Sequence, residues 1–178
     1  MRIITGTARG KKLSALEGRD VRPTTDRVKE ALFDILQFRI EDRRFLDMFA
    51  GSGQIGLEAL SRGAKSAVMI DASKESIRVI EQNTNQTQLE HQAKILCADA
   101  LAYVSSTAEV FDIAFLDPPY HADLLIPALE KVVRCIAESG VIICEHLKET
   151  QLPDQVGDFI KEKTYRYGKI HLTRYERP

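Results

Sequence analysis

From residue 44 onward the chain alternates between short apolar runs and amphipathic stretches of helical period. The apolar runs fall at 44–49, 66–70, 94–97, 112–116 and 141–145, with helical stretches near 54–62, 74–87, 99–105 and 122–136 between them. Strand-like runs separated by helical segments predict βαβ units, and therefore a parallel sheet covered on both faces. Ahead of this block, residues 25–38 place Val28, Ala31, Leu32, Ile35 and Leu36 on one helical stripe. Thr24 or Thr25 is the expected N-cap, with Pro23 just outside the helix. After the block, 163–166 and 170–175 flank Tyr167-Gly168-Lys169 and predict a terminal hairpin. The fold class predicted is α/β, a doubly wound sheet with helices on both faces and an antiparallel C-terminal hairpin strand. No repeat, low-complexity stretch or linker divides the chain. One domain over 1–178 is therefore expected: a basic extension at 1–22, hairpin-like, and a catalytic core at 23–178.

Composition narrows the class. Of 178 residues, 44% are hydrophobic and 29% charged, which excludes a disordered chain or a collagen-like fibre. No apolar run approaches the roughly 18 residues needed to span a bilayer, and Met1–Gly6 lacks the apolar core of a secretory signal. Cys97, Cys135 and Cys144 are odd in number and scattered, so buried free thiols in a reducing cytoplasm are expected. The histidines (His91, His121, His146, His171) have no spaced metal partners, and no metal is expected. The net charge of −1 hides an asymmetry: +4 over residues 1–30, +4 over 161–178 and −9 between them. Basic ends that meet in space would make a polyanion-binding face; scattered, they are ordinary solvated charge.

The first apolar run leads into Asp47-Met48-Phe49-Ala50-Gly51-Ser52-Gly53-Gln54-Ile55-Gly56. Gly51, Gly53 and Gly56 satisfy G-x-G-x-x-G, and Asp71 lies 20 residues after Gly51, where a ribose-binding acid is expected. Taken alone, this would suit a dehydrogenase, but any adenosine-containing cofactor can use such a turn. Asp47, at the strand end, would repel a pyrophosphate. S-adenosylmethionine carries no phosphate, and its sulfonium and amino-acid tail bring positive charge. Asp47 suits that cofactor, by organising the loop or by binding the ammonium. Asp71 is then placed for the ribose hydroxyls and Asp99 for the adenine amino group. Helix capping is the competing role for both acids.

The sharpest signal is Asp117-Pro118-Pro119-Tyr120, directly after Phe111–Leu116. It sets an acid, two prolines and an aromatic at the carboxyl end of a buried strand, where ligands bind in open parallel sheets. Prolines fix their φ angles and lack N–H donors, so the carbonyls there are held rigidly. A carboxylate and a fixed carbonyl can hold the amine of a planar ring on which Tyr120 stacks. Such an amine is a poor nucleophile because its lone pair is delocalised. Acceptors at the Asp117 side chain and the Pro118 carbonyl would draw its hydrogens toward a tetrahedral arrangement for in-line attack on the sulfonium methyl. A base in folded nucleic acid would have to be exposed or flipped out to reach them.

With these motifs the chain resembles the class I S-adenosylmethionine-dependent methyltransferases, and more narrowly the RsmD-type 16S rRNA guanine-N2 methyltransferases. The resemblance rests on Arg22-Pro-Thr-Thr-Asp-Arg-Val-Lys-Glu-Ala-Leu-Phe33, on Asp47–Gly53 with Gly56–Gly63, and on Asp117–Tyr120. It implies a Rossmann-like sheet of about seven strands and methyl transfer to one guanine of the small ribosomal subunit, or of an assembly intermediate, in the cytoplasm. Asp47, Phe49, Ala50, Gly51, Gly53, Asp71, Ala72, Asp99 and Ala100 would hold the cofactor, and Asp117, Pro118, Pro119 and Tyr120 the guanine. Two departures stand out. The start, Thr5-Gly-Thr-Ala-Arg9-Gly-Lys-Lys12, lacks the aromatic common in the family, and Gln54 stands where a small residue is common.

On this reading Arg9, Lys11, Lys12, Arg22, Thr25, Arg27 and Lys29 would meet the RNA, the cations contributing salt-sensitive affinity rather than base discrimination. Tyr165, Tyr167 and Tyr175 are expected to pack on strand faces, and His121 to stand clear of substrate. The nearest rival enzyme is a DNA adenine-N6 methyltransferase, although 178 residues leave little room for a target-recognition domain. From other classes, a non-catalytic RNA-binding assembly factor and a hydride-transferring oxidoreductase remain alternatives.

Overall fold

In a computed structural model describing residues 1–18 and 24–178, the apolar runs become strands of a single sheet. The strands are β1 (Arg44–Asp47), β2 (Ser66–Asp71), β3 (Ala93–Cys97), β4 (Phe111–Leu116), β5 (Ile136–Leu147), β6 (Gln155–Val156), β7 (Phe159–Tyr167) and β8 (Ile170–Glu176). The helices are α1 (Asp26–Ile35), α2 (Gln54–Ser61), α3 (Lys74–Thr87), α4 (Ala100–Ser106) and α5 (Leu125–Val132). Strand order is β3-β2-β1-β4-β5-β8-β7-β6. The first five are parallel, and β8 runs antiparallel between β5 and β7. The chain builds outward from β1 in one direction and then in the other, which puts a topological switch point between β1 and β4.

The buried runs along β1, β2, β4 and residues 140–146 of β5 reflect helices on both faces. One core layer lies under α1, α2 and α3, the other under α4 and α5. Thr25 caps α1, its Oγ1 accepting from Val28 N at 3.3 Å. Tyr175 is fully buried, and Tyr165 and Tyr167 pack against the core from β7. Three expectations need correction. The helix foreseen near 122–136 is only α5, with short 3₁₀ turns on either side, and Ile136 already belongs to β5. The eighth strand, β6, is a two-residue edge pairing too short to show as an apolar run. Cys97 is exposed, because β3 is the edge strand; Cys135 and Cys144 are buried.

Residues 1–13 fold back on themselves through the Arg2–Lys12 bridge and lie across α2. Every residue of α2 is buried as a result. Glu58, 0% exposed, accepts from Ile4 N at 2.9 Å, Thr5 N at 3.0 Å and Arg62 Nε at 2.8 Å. Lys29 from α1, also 0% exposed, brings its ammonium to 3.8 Å from Glu58 and donates to Arg2 O at 2.6 Å. Burial holds the Lys29 ammonium below the usual lysine range, against the opposing pull of Glu58. Lys29 is therefore part of the interior and is withdrawn from the expected RNA contacts. Nearby, Ser61 Oγ donates to Thr5 O at 2.6 Å and accepts from Ala8 N at 2.9 Å. Gly6 runs so close that a Cβ would sit 1.7 Å from Ser61 O.

Glu58→Ala should lower stability by about 3–5 kcal/mol, because it leaves the buried Lys29 without its counter-charge and two backbone N–H groups without their acceptor. Arg39→Ala, which removes a partly exposed pair with Glu176, should cost less than about 1 kcal/mol. Urea unfolding midpoints compare the two, and equal shifts would contradict the role given to Glu58.

Candidate active site

The carboxyl ends of β3, β2, β1 and β4 open onto a cavity of about 460 Å³. Asp47 ends β1, and the glycine loop turns above it into α2. Gly53 N donates to Ala50 O at 2.8 Å to close the turn, with φ at +78°. A Cβ on Gly53 would come within 3.0 Å of Ile80, so both backbone and space require glycine. Gly53 therefore shapes the loop from behind and does not line the cavity. The other eight residues expected around the cofactor (Asp47, Phe49, Ala50, Gly51, Asp71, Ala72, Asp99, Ala100) do line it, as do Asp117, Pro118, Pro119 and Tyr120.

The acids are held differently. Asp71 accepts from Gly51 N at 3.0 Å through Oδ2 and from Ser73 N at 2.9 Å through Oδ1, tying the end of β2 to the glycine loop. Ser73, not Asp71, caps α3. Asp99 is the N-cap of α4, accepting from Ala102 N at 2.7 Å, so its capping role coexists with a place in the cavity wall. Tyr120 donates its hydroxyl to Glu145 Oε1 at 3.1 Å, anchoring the aromatic against the end of β5. Asp47 is buried and accepts from Gly56 N at 3.1 Å. Burial pushes its carboxyl up to about 7; the Gly56 bond opposes the rise and the charge of Asp71 adds to it. The repulsion expected of a fixed Asp47 charge is thereby softened. A second observation takes its place: among the described residues lining the cavity there is no Lys or Arg.

Several wall residues were not expected there. Met1 and Leu16 reach the cavity because the N-terminal segment is held over α2, and Thr24, Gln54 and His121 line it as well. His121, expected to stand clear, follows Tyr120 on the same turn. The residues expected to meet RNA lie elsewhere. Arg9, Lys12 and Arg27 are exposed, Thr25 caps α1, and Lys11 donates to Gln88 Oε1 at 3.2 Å. None of them lines the cavity. Arg22 falls in 19–23, outside the described residues.

A family model described as conserved hypothetical protein 95 matches residues 1–176. The chain belongs to this family. Its relatives include the ribosomal RNA small subunit methyltransferase D of Haemophilus influenzae, 39% identical over 92% of this chain and 88% of the relative. The protein of the same name from Escherichia coli K12 is 32% identical over 99% of this chain and 90% of its own length. A solved Escherichia coli structure described as a methyltransferase superposes with a TM-score of 0.88 at 33% identity, covering 99% of this chain and 97% of that one. A hypothetical protein from a Thermus species gives 0.84 at 31%, covering 100% and 99%. The RsmD-type resemblance is borne out, and the chain is a methyltransferase.

In this methyltransferase the buried Asp47 links stability to pH. Its folded pKa lies above the ordinary aspartate value, so the stability it contributes is full below about pH 4 and is lost as pH rises through about 7. Asp47→Asn keeps an acceptor for Gly56 N without the ionisation. The variant should gain on the parent in unfolding free energy as pH rises from about 5 to 8; denaturant titrations at the two ends show whether it does.

Proposed function

We propose that this protein transfers a methyl group from S-adenosylmethionine to the 2-amino group of a guanine in 16S rRNA, within the small ribosomal subunit or an assembly intermediate. The observation that carries this reading is the continuity of one cavity along the sheet edge, from Asp99 and Asp71 past the glycine loop to Asp117–Tyr120. Acids without a facing Lys or Arg among the described lining residues suit a phosphate-free, positively charged cofactor and a neutral base, and disfavour a pyrophosphate. The names of the Escherichia coli and Haemophilus influenzae relatives support the RNA. The guanine amine is inferred from the Asp-Pro-Pro-Tyr corner and the family resemblance.

On this reading Asp99 and Ala100 meet the adenine, Asp71 takes the ribose hydroxyls, and Phe49, Ala50, Gly51 and Ala72 shape the cradle. When bound, the sulfonium supplies an activated methyl and its own leaving group. Asp117 and the Pro118 carbonyl orient the amine and stabilise the positive charge that develops on its nitrogen; the methylated nitrogen then gives up one proton, to the Asp117 carboxylate or to solvent. Pro119 stiffens the corner, and Tyr120, tethered through Glu145, offers a fixed ring for stacking. Arg9, Lys11, Lys12, Arg22, Thr25 and Arg27 are assigned to the RNA backbone outside the cavity.

The test is methyl-label transfer to naked 16S rRNA, to small subunits from cells lacking the protein and to duplex DNA, with the labelled nucleoside identified. N2-methylguanosine is expected; label appearing only as N6-methyladenine in DNA, or no transfer to either RNA substrate, would overturn the proposal. Asp117→Ala should lower transfer by about a hundredfold or more while leaving S-adenosylhomocysteine affinity nearly unchanged. Asp71→Ala should weaken that affinity by about tenfold, measured by calorimetry.

A further inference from the structure

Gln54 opens α2 and lines the cavity, although it is only 5% exposed. Its Nε2 donates to Thr24 O at 3.4 Å, while its Oε1 is buried with no hydrogen-bond partner among the described residues. A buried acceptor left unmatched costs about 1–3 kcal/mol, so such an atom in a cavity wall points to a donor supplied by a ligand. The Nε2 bond turns the amide so that the oxygen is the atom left for that donor.

The order of the strands indicates which part of a ligand reaches it. Along the sheet edge β3 presents Asp99, β2 presents Asp71, β1 leads into the glycine loop and Gln54, and β4 presents Asp117. With adenine at Asp99 and ribose at Asp71, the next portion of the cofactor lies over the end of β1, short of the base-binding corner. For S-adenosylmethionine that portion is the amino-acid end. The first turn of α2, with Gly53 as its cap residue and no side-chain cap, lies beside it. We propose that Gln54 Oε1 accepts a hydrogen bond from the α-ammonium of the cofactor's amino-acid end, making Gln54 a cofactor-binding residue. This inference rests on the cofactor assigned above, and no proton or bond is exchanged in it.

Two ligands separate the contributions: S-adenosylhomocysteine has the amino-acid end, and 5′-methylthioadenosine has the nucleoside without it. Calorimetry on the full chain should show Gln54→Leu binding S-adenosylhomocysteine about ten- to a hundredfold more weakly, the scale of a hydrogen bond to a charged group. Binding of 5′-methylthioadenosine should be unchanged. Gln54→Glu, which keeps an acceptor, should bind S-adenosylhomocysteine at least as tightly as the parent. Unchanged S-adenosylhomocysteine binding by Gln54→Leu, or equal weakening of both ligands, would sink the assignment. A parent protein that binds neither ligand would remove the cofactor reading and this inference with it, an outcome distinct from a failure confined to Gln54.

Discussion

The carboxylate of Glu58 has no contact with water, and it is met from three parts of the chain: it accepts from Ile4 N and Thr5 N of the N-terminal segment and from Arg62 at the end of its own helix, and pairs with the Lys29 ammonium from α1. A buried carboxylate is tolerable only when its oxygens are satisfied, so these elements must arrive together or the helix carries an unmatched charge in its interior. That requirement places the first residues of the chain across α2. It also brings Met1 and Leu16 to the cavity wall and sets α1 so that Thr24, just before its cap, faces the glycine loop. Asn83 extends the arrangement: its side chain bonds Ser14 N and O and Ser52 O, joining α3 to the segment and to the loop. The cavity is therefore walled partly by secondary structure and partly by an irregular segment held by polar bonds.

Inside that wall the side chains of the sheet edge are held by backbone donors. Asp47 receives Gly56 N, Asp71 receives Gly51 N and Ser73 N, and Asp99 receives Ala102 N. These bonds fix the carboxylates against the helix or turn that follows their strands and, for Asp71, also against the glycine loop after β1, so the acids are oriented before any ligand arrives. Preorganised acceptors of this kind need little rearrangement when positive charge appears beside them. Asp47 is the most enclosed of the three and the one whose carboxyl burial pushes up to about 7. Its local role, holding the first turn of α2, is served in either protonation state, whereas its charge would respond to a cation bound above the loop.

The strands were legible because a parallel sheet covered on both faces needs unbroken apolar runs, and five such runs mark β1 to β5. The turn chemistry of Asp47–Gly56 and Asp117–Tyr120 was legible for a related reason: glycine and proline restrict the backbone locally, whatever the rest of the chain does. What could not be read were pairings made at long range. Lys29 sits one residue from Val28 on α1 and looks like a solvated flank of the stripe; only Glu58, 29 residues later on another helix, makes its burial possible. Gly53 fits the fingerprint by spacing, yet the space it occupies belongs to Ile80 and Met69. Gln54 departs from the pattern expected of the loop, but its orphaned oxygen is visible only once Thr24 has claimed the amide nitrogen.

The proposed reaction asks opposite electrostatics of the cavity and of its surroundings. Four aspartates and no Lys or Arg among the described lining residues make the interior hostile to a phosphate, while a sulfonium and a neutral base enter without that penalty. Arg9, Lys12 and Arg27 are exposed and lie outside the lining, where a polyanion's backbone can be neutralised without approaching the acids. A nucleotide bound this way must be divided, its phosphates kept on the basic exterior and its base carried alone into the acidic interior. This excludes a base still stacked in a helix and favours one already exposed or turned out. On the proposed reading a net charge of −1 is no bar to RNA, because the acids of the cavity and the exposed Arg9, Lys12 and Arg27 occupy different places.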